Sequence, residues 1–135
     1  MNGQLSRTLT FSWVFDGGSE PRPTCASSLE NSYGLDPLSC LLTDDGGLGL
    51  QHHAAWIDQA IVMTAEILSG TGGTSNWDCE AWGAELSMEK VFVFSLYVES
   101  CATTITLPTF QRVMAEWRRF IGRVPSKDEV LMIAV

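Results

Sequence analysis

Apolar and polar residues alternate from Leu5 to Phe15. Leu5, Leu9, Phe11, Trp13 and Phe15 share one face, interrupted by Arg7, and Ser6, Thr8, Thr10 and Ser12 share the other. A period of two predicts a half-buried β-strand, broken by Asp16-Gly17-Gly18. The period then becomes helical. Ile57, Ala60, Ile61, Thr64, Ile67 and Leu68 make the buried stripe of an amphipathic helix over about 54–69, and Gly70 ends it. Phe110, Val113, Met114, Trp117, Phe120 and Ile121 make a second stripe, on a helix that Pro108 opens and Gly122 closes.

Between the helices, residues 78–86 and 91–98 read as two strands joined near Ser87-Met88-Glu89-Lys90. The second strand is apolar on both faces and rich in β-formers, which places it centrally in its sheet. Residues 103–106 suggest a short further strand and 130–135 an edge strand. The prolines at 21, 23 and 37, among many Ser and Gly, predict a largely irregular segment over 17–46. Within it, Leu38, Leu41 and Leu42 fit either a short strand or one helical turn. Asp44-Asp45-Gly46-Gly47 reads as a tight turn, Leu48–Leu50 as a brief strand and Thr71–Asn76 as a flexible connector. The expected architecture is a single α+β domain over residues 1–135: a mostly antiparallel β-sheet with two amphipathic helices packed on one face.

Composition supports a packed core, since 45% of the 135 residues are hydrophobic and only 18% are charged. Charge adds more. The net charge is −8, and no Lys or Arg occurs between Pro23 and Glu89, where ten acids fall. Arg112 to Lys127 reverses the balance with five basic residues against Glu116. The acidic stretch disfavours nucleic acid and anionic lipid as partners and favours a basic protein. Its simplest alternative role is solubility. No apolar run approaches the ~20 residues of a membrane span. The polar start gives no expectation of a signal peptide, and a cytoplasmic protein with free thiols is expected.

Catalytic and metal-binding readings find little support. His52 and His53 are adjacent, so on a helix they diverge by about 100° and suit one metal ion poorly. Surface or helix-start histidines are expected. Gly70-Thr71-Gly72-Gly73-Thr74-Ser75 follows a helix and lacks the lysine of a phosphate loop. Cys25, Cys40 and Cys79 lie in the acidic region, which disfavours thiolate, and Cys101 follows Glu99. Asp44/Asp45 or Asp78/Glu80 are close enough in sequence for paired-carboxylate chemistry, but sixteen acids make such pairs common. Arg112, Arg118, Arg119 and Arg123 fit a solvated helix face bridged to acids better than a phosphate contact. No cofactor or metal is expected. Trp56, Trp77 and Trp82 fit either peripheral packing or binding anchors, with Trp77 beside Asp78 and Glu80.

One ordered pattern goes further. Trp56-Ile57 on a helix is followed by Gly70, Trp77-Asp78 and Ala81-Trp82-Gly83-Ala84-Glu85-Leu86. Then come Glu89-Lys90-Val91 with a strand to Tyr97, Ile105-Thr106-Leu107-Pro108-Thr109-Phe110, and a helix with Trp117-Arg118-Arg119-Phe120-Ile121. Over residues 48–125 this order resembles small bacterial immunity proteins of polymorphic toxin and contact-dependent growth inhibition systems. The resemblance implies a cytoplasmic, non-catalytic inhibitor of a delivered toxin domain, often a nuclease. It carries no catalytic residue over. With the charge pattern, it makes Asp44, Asp45, Asp58, Glu66, Trp77, Asp78, Glu80 and Glu85 the candidate contacts to a basic toxin, Trp77 as a desolvated anchor. Two other readings remain open: a phage-encoded inhibitor of a nucleic-acid-directed defence complex, and a small hydrolase using Asp44/Asp45 or a cysteine with His52 or His53.

Overall fold

The computed structural model describes residues 6–17 and 20–135. Leu5 of the expected first strand and Gly18 of its expected break lie outside the described residues. The fold is α+β, with seven strands in two antiparallel sheets and three helices among the described residues. The single sheet and two helices expected from the sequence are thus two sheets and three helices.

The first sheet has the order β2-β1-β7, from Arg22–Ser27, Thr8–Val14 and Val130–Ala134. Alternation in β1 works as its pattern requires: Leu9, Phe11 and Trp13 point inward and are buried. β2 corrects the irregular assignment of 17–46. It pairs residue for residue with β1, from Leu9 with Ser27 to Val14 with Arg22. Pro23 is tolerated because β2 is an edge strand, where a missing N–H leaves no ladder bond unmade. β7 forms the opposite edge.

The second sheet has the order β3-β4-β5-β6, from Ser75–Asp78, Trp82–Leu86, Val91–Ser95 and Ala102–Ile105. β5 lies between two neighbours, as its apolar run requires. β3 takes the end of the expected connector and the first residue of the expected 78–86 strand, which a turn at residues 79–81 divides into β3 and β4; Trp77 pairs with Ala84 and turns its ring inward.

The helices are α1 (Pro37–Thr43), α2 (Leu50–Leu68) and α3 (Leu107–Ile121). Leu38, Leu41 and Leu42 are completely buried on α1, which settles the strand-or-helix alternative. α1 touches β2 of one sheet and β4, β5 and β6 of the other. Leu48–Leu50 forms no strand; Leu50 is the first residue of α2. The α3 stripe is buried throughout and packs on the first sheet, with Phe11 edge-on to Trp117 at 4.9 Å and Trp13 stacked on Phe120 at 5.4 Å. Thr106 caps α3 through the Thr109 N–H, and Gly122 closes it.

Arg7, which interrupts the apolar face of the first strand, is 4% exposed. Its guanidinium donates to Asp36 Oδ1 at 3.1 Å and to Thr103 Oγ1 of β6 at 3.2 Å. Asp36 is the N-cap of α1, accepting also from the Leu38 N–H and, at 2.6 Å, from the Ser27 hydroxyl. One buried ion pair therefore joins both sheets and α1. Removing one member strands the other charge away from water. We expect Arg7→Met to lower unfolding free energy by about 3–5 kcal/mol, measured as a reduced urea midpoint at unchanged slope.

Candidate functional site

The turn after α1 and the turn between β3 and β4 meet at one place. Asp45 Oδ1 accepts from the Gly47 N–H at 2.8 Å, and Gly46 and Gly47 both take left-handed backbone conformations (φ 64° and 74°). Two such residues in succession demand glycine. Asp44 reaches across: its Oδ2 accepts from the backbone N–H groups of Ala81 at 2.7 Å and Trp82 at 3.0 Å. That carboxylate staples the two turns together.

The staple creates a cavity of about 300 Å³, lined by Asp44, Asp45, Leu48, His52, His53, Trp56, Asp78, Cys79 and Glu80 among others. Asp78 is set by its neighbour Gly83 on β4, where a Cβ would collide with Asp78 Oδ1. Asp78 and Glu80 are exposed and Asp45 is half-buried. None of the ion pairs among the described residues involves Asp44, Asp45, Asp78 or Glu80.

The other expected contact residues scatter. Asp58 on α2 pairs with Arg118 of α3 at 2.8 Å. Glu66 on α2 and Glu85 on β4 are exposed but do not line the cavity. Trp77 is 1% exposed, with its Nε1 donating to the Trp56 carbonyl, so it is core and not a surface anchor. Trp56 takes the exposed position. It is 36% exposed, stacks on Trp77 at 5.8 Å and donates from Nε1 to the Asp78 carbonyl. Its position beside the helix stripe was the sequence signal for this role.

His53 also departs from the surface or helix-start expectation, being 2% exposed. Its Nε2 lies 2.7 Å from the Leu42 carbonyl and 3.1 Å from Trp117 Nε1. A single ring nitrogen serves one of these at a time: protonated, it donates to the carbonyl; bare, it accepts from the indole. Nδ1 has no partner among the described residues. Burial holds the His53 pKa below its ordinary value, opposed by the Leu42 carbonyl and by Asp45 and Asp44.

The four cysteines are free. Burial, aided by Asp36, pushes the Cys25 thiol up to about 12; burial, aided by Asp44, does the same at Cys79. Cys40 rises to about 11, chiefly through burial and Asp36. Thiolate is therefore a trace species at neutral pH for these three, the opposite of what a nucleophile needs. No group of three or more His, Cys, Asp or Glu suited to a metal occurs among the described residues. No helix among them is long and apolar enough to cross a membrane.

No protein-family model, curated protein or solved structure matches the chain.

The depressed His53 pKa has a stability consequence. Its contribution is complete above about pH 6.5 and is lost as pH falls through the lower folded value, because the unfolded chain then binds more protons. Between pH 7 and 5 we expect the wild type to lose stability more steeply than His53→Gln. The difference, read from urea midpoints at each pH, approaches at most about 1.4 kcal/mol per pH unit.

Proposed function

We propose that this protein is an immunity protein: a cytoplasmic inhibitor that binds a cognate bacterial toxin domain, of nuclease type and basic, and neutralises it by stoichiometric association. The observation that carries the reading is the carboxylate-lined cavity between the two turns, whose acids have no cationic partner among the described residues. An unpaired set of carboxylates around a concavity is complementary to Lys and Arg on a partner. Such complementarity raises the association rate and selects against acidic surfaces.

The contact set that the geometry supports is narrower than the sequence suggests. Asp45, Asp78 and Glu80 supply charge, and Trp56 supplies an aromatic face against which a guanidinium can stack. Asp44 positions the turns through its bonds to Ala81 and Trp82. Asp58 already has Arg118, and Trp77 supports Trp56 from below. Glu66 and Glu85 extend the acidic field without joining the cavity.

The fate of the basic residues on α3 and just beyond it strengthens the reading. Arg118 pairs with Asp58, Arg119 with Glu116 and Arg123 with Glu129, and Arg112 donates to the Ala134 carbonyl. These cations are engaged locally, away from the cavity.

The test uses affinity capture from the source strain with the wild type and the Asp78→Lys/Glu80→Lys double variant. We expect the wild type to retain a basic toxin domain and abolish its activity at a one-to-one ratio. The double variant should bind about tenfold or more weakly, with a flatter salt dependence. Undiminished affinity in the variant removes this cavity from the interface. Turnover of a substrate by the isolated protein, with no toxin retained, overturns the reading.

A further inference from the structure

The pleat of the second sheet leaves one of its faces bare. Trp77, Ala84, Leu86, Val91 and Val93 turn toward the core and are buried. The alternate residues therefore point outward. On β5 these are Phe92 and Phe94, half-buried, with exposed Leu96 continuing the line beyond the strand. The two rings stack on each other at 5.4 Å, and neither packs against the core. Aromatic side chains that a fold leaves on its surface in a contiguous ridge are what protein interfaces are enriched in.

Carboxylates flank this ridge on one side only. In the register of the sheet, Phe92 lies between Glu85 and Thr104, and Phe94 between Gly83 and Ala102. Asp78 is the cross-strand partner of Gly83. A Cβ on Gly83 would strike Asp78 Oδ1 and come within 3.1 Å of Leu96 Cδ2, so the Asp78 carboxylate and the Leu96 side chain both lean over the gap beside Phe94. Asp78 and Glu85 are exposed, and none of the ion pairs among the described residues involves either. Lys90, the sole Lys or Arg between residues 75 and 105, stands in the β4–β5 turn and pairs with neither. On the opposite flank, Ala102 and Thr104 carry no charge.

Neighbouring strands lie about 4.8 Å apart, so Glu85 is within reach of a side chain lying on Phe92. A lysine or arginine suits such a place. Its methylenes or guanidinium plane cover the ring while its head meets the carboxylate. A second copy of the chain suits it poorly. Packed face to face on a two-fold axis, the copy sets Asp78 and Glu85 against the same acids or against Ala102 and Thr104, and neither supplies a cation.

We propose that this face docks a basic amphipathic segment of the partner protein, with apolar side chains on Phe92, Phe94 and Leu96 and lysines or arginines along the Asp78–Glu85 flank. The proposal rests on the reading above in taking the partner to be a basic protein. It adds a surface, since neither the ridge nor Glu85 lines the carboxylate cavity; Asp78 belongs to both and makes them continuous.

The probe is a synthetic helical peptide with leucines on one face and lysines on the other, titrated into the full chain at pH 7 and followed by amide chemical shifts. We expect saturable shifts centred on Phe92, Phe94, Leu96 and Thr104. A peptide of the same composition in scrambled order, with no apolar face, should bind about fivefold or more weakly, and one with glutamate in place of lysine should not bind. Glu85→Lys and Phe94→Ser should each weaken binding of the first peptide about fivefold or more, and Glu80→Lys, in the cavity alone, less than about twofold. The amide spectrum reports that each variant is folded, and Glu85→Lys, at an exposed position, keeps the test decisive where Phe94→Ser unfolds. Shifts centred on the cavity residues Asp45, Gly46 and Leu48, equal affinity for the scrambled peptide, or absence of saturable binding overturns the docking face and leaves the inhibitor reading standing. Shifts at the ridge amides that grow with protein concentration in the absence of peptide assign the face to a second copy and also overturn the proposal. The inhibitor reading fails on a different measurement, toxin neutralisation, which contains no peptide.

Discussion

The buried contact between Arg7 and Asp36 is the constraint on which the architecture turns. Each sheet is small, and neither covers itself. Arg7 immediately precedes β1, Thr103 lies on β6, Ser27 on β2 and Asp36 caps α1, and all four meet through hydrogen bonds of 2.6–3.2 Å. The backbone of Arg7 also exchanges both of its hydrogen bonds with Val135. A charge buried to this degree is tolerable only when its partner and most of its donors are satisfied, so the geometry of one element fixes that of the others. Arg7 Nε is left without a partner among the described residues, which makes the pair a source of specificity more than of net stability.

Much of this was legible in the chain. The stripes of α2 and α3, the β4–β5 hairpin, the central place of β5 and the edge strand β7 follow from periodicities of 3.6 and two, and each has buried residues where those periods put them. Local rules failed where a partner distant in sequence decided the outcome. β2 has the proline content of a loop and is a strand because β1 offers it a ladder. Arg7 spoils an apolar face unless Asp36 is known to wait opposite. Ser75 and Asn76 look like the end of a connector, and 78–86 like one strand, because the pairing of β3 with β4 lies across a turn set by Asp44. The contact residues divide in the same way. Asp44, Asp45, Asp78 and Glu80 do converge, yet Trp77 and Trp56 exchange the roles their neighbours suggest, because the pleat of β3 turns Trp77 inward. His53 falls four residues before Ile57 and so continues the buried stripe of α2, a signal that its polarity masks.

The charge distribution acquires meaning only with the fold. An acidic stretch followed by a basic helix could cancel internally. Instead Arg118 and Arg119 of α3 and Arg123 just beyond it find acids on α2, on α3 itself and at Glu129, and the acids around the α1–α2 turn are left over. The surplus is concentrated where two turns are held together by a carboxylate that bonds only to backbone. A field of this kind is local, because its members share one concave site, and with Asp78 and Glu80 exposed it weakens as salt rises.

The strand order of the first sheet carries a consequence for how the molecule comes into being. β1 is the central strand, yet one of its neighbours, β7, is separated from it by every other element of the chain: Thr8 pairs with Ala134. During synthesis β1 therefore has one open flank until Val130–Ala134 has left the ribosome, and the inward faces of Leu9 and Phe11 wait for Ile133 and Leu131. The second sheet is built from consecutive hairpin neighbours and has no such delay. Assembly is thus expected to be two-tempo: a quick, local half, and a half whose closure is set by the longest loop in the protein.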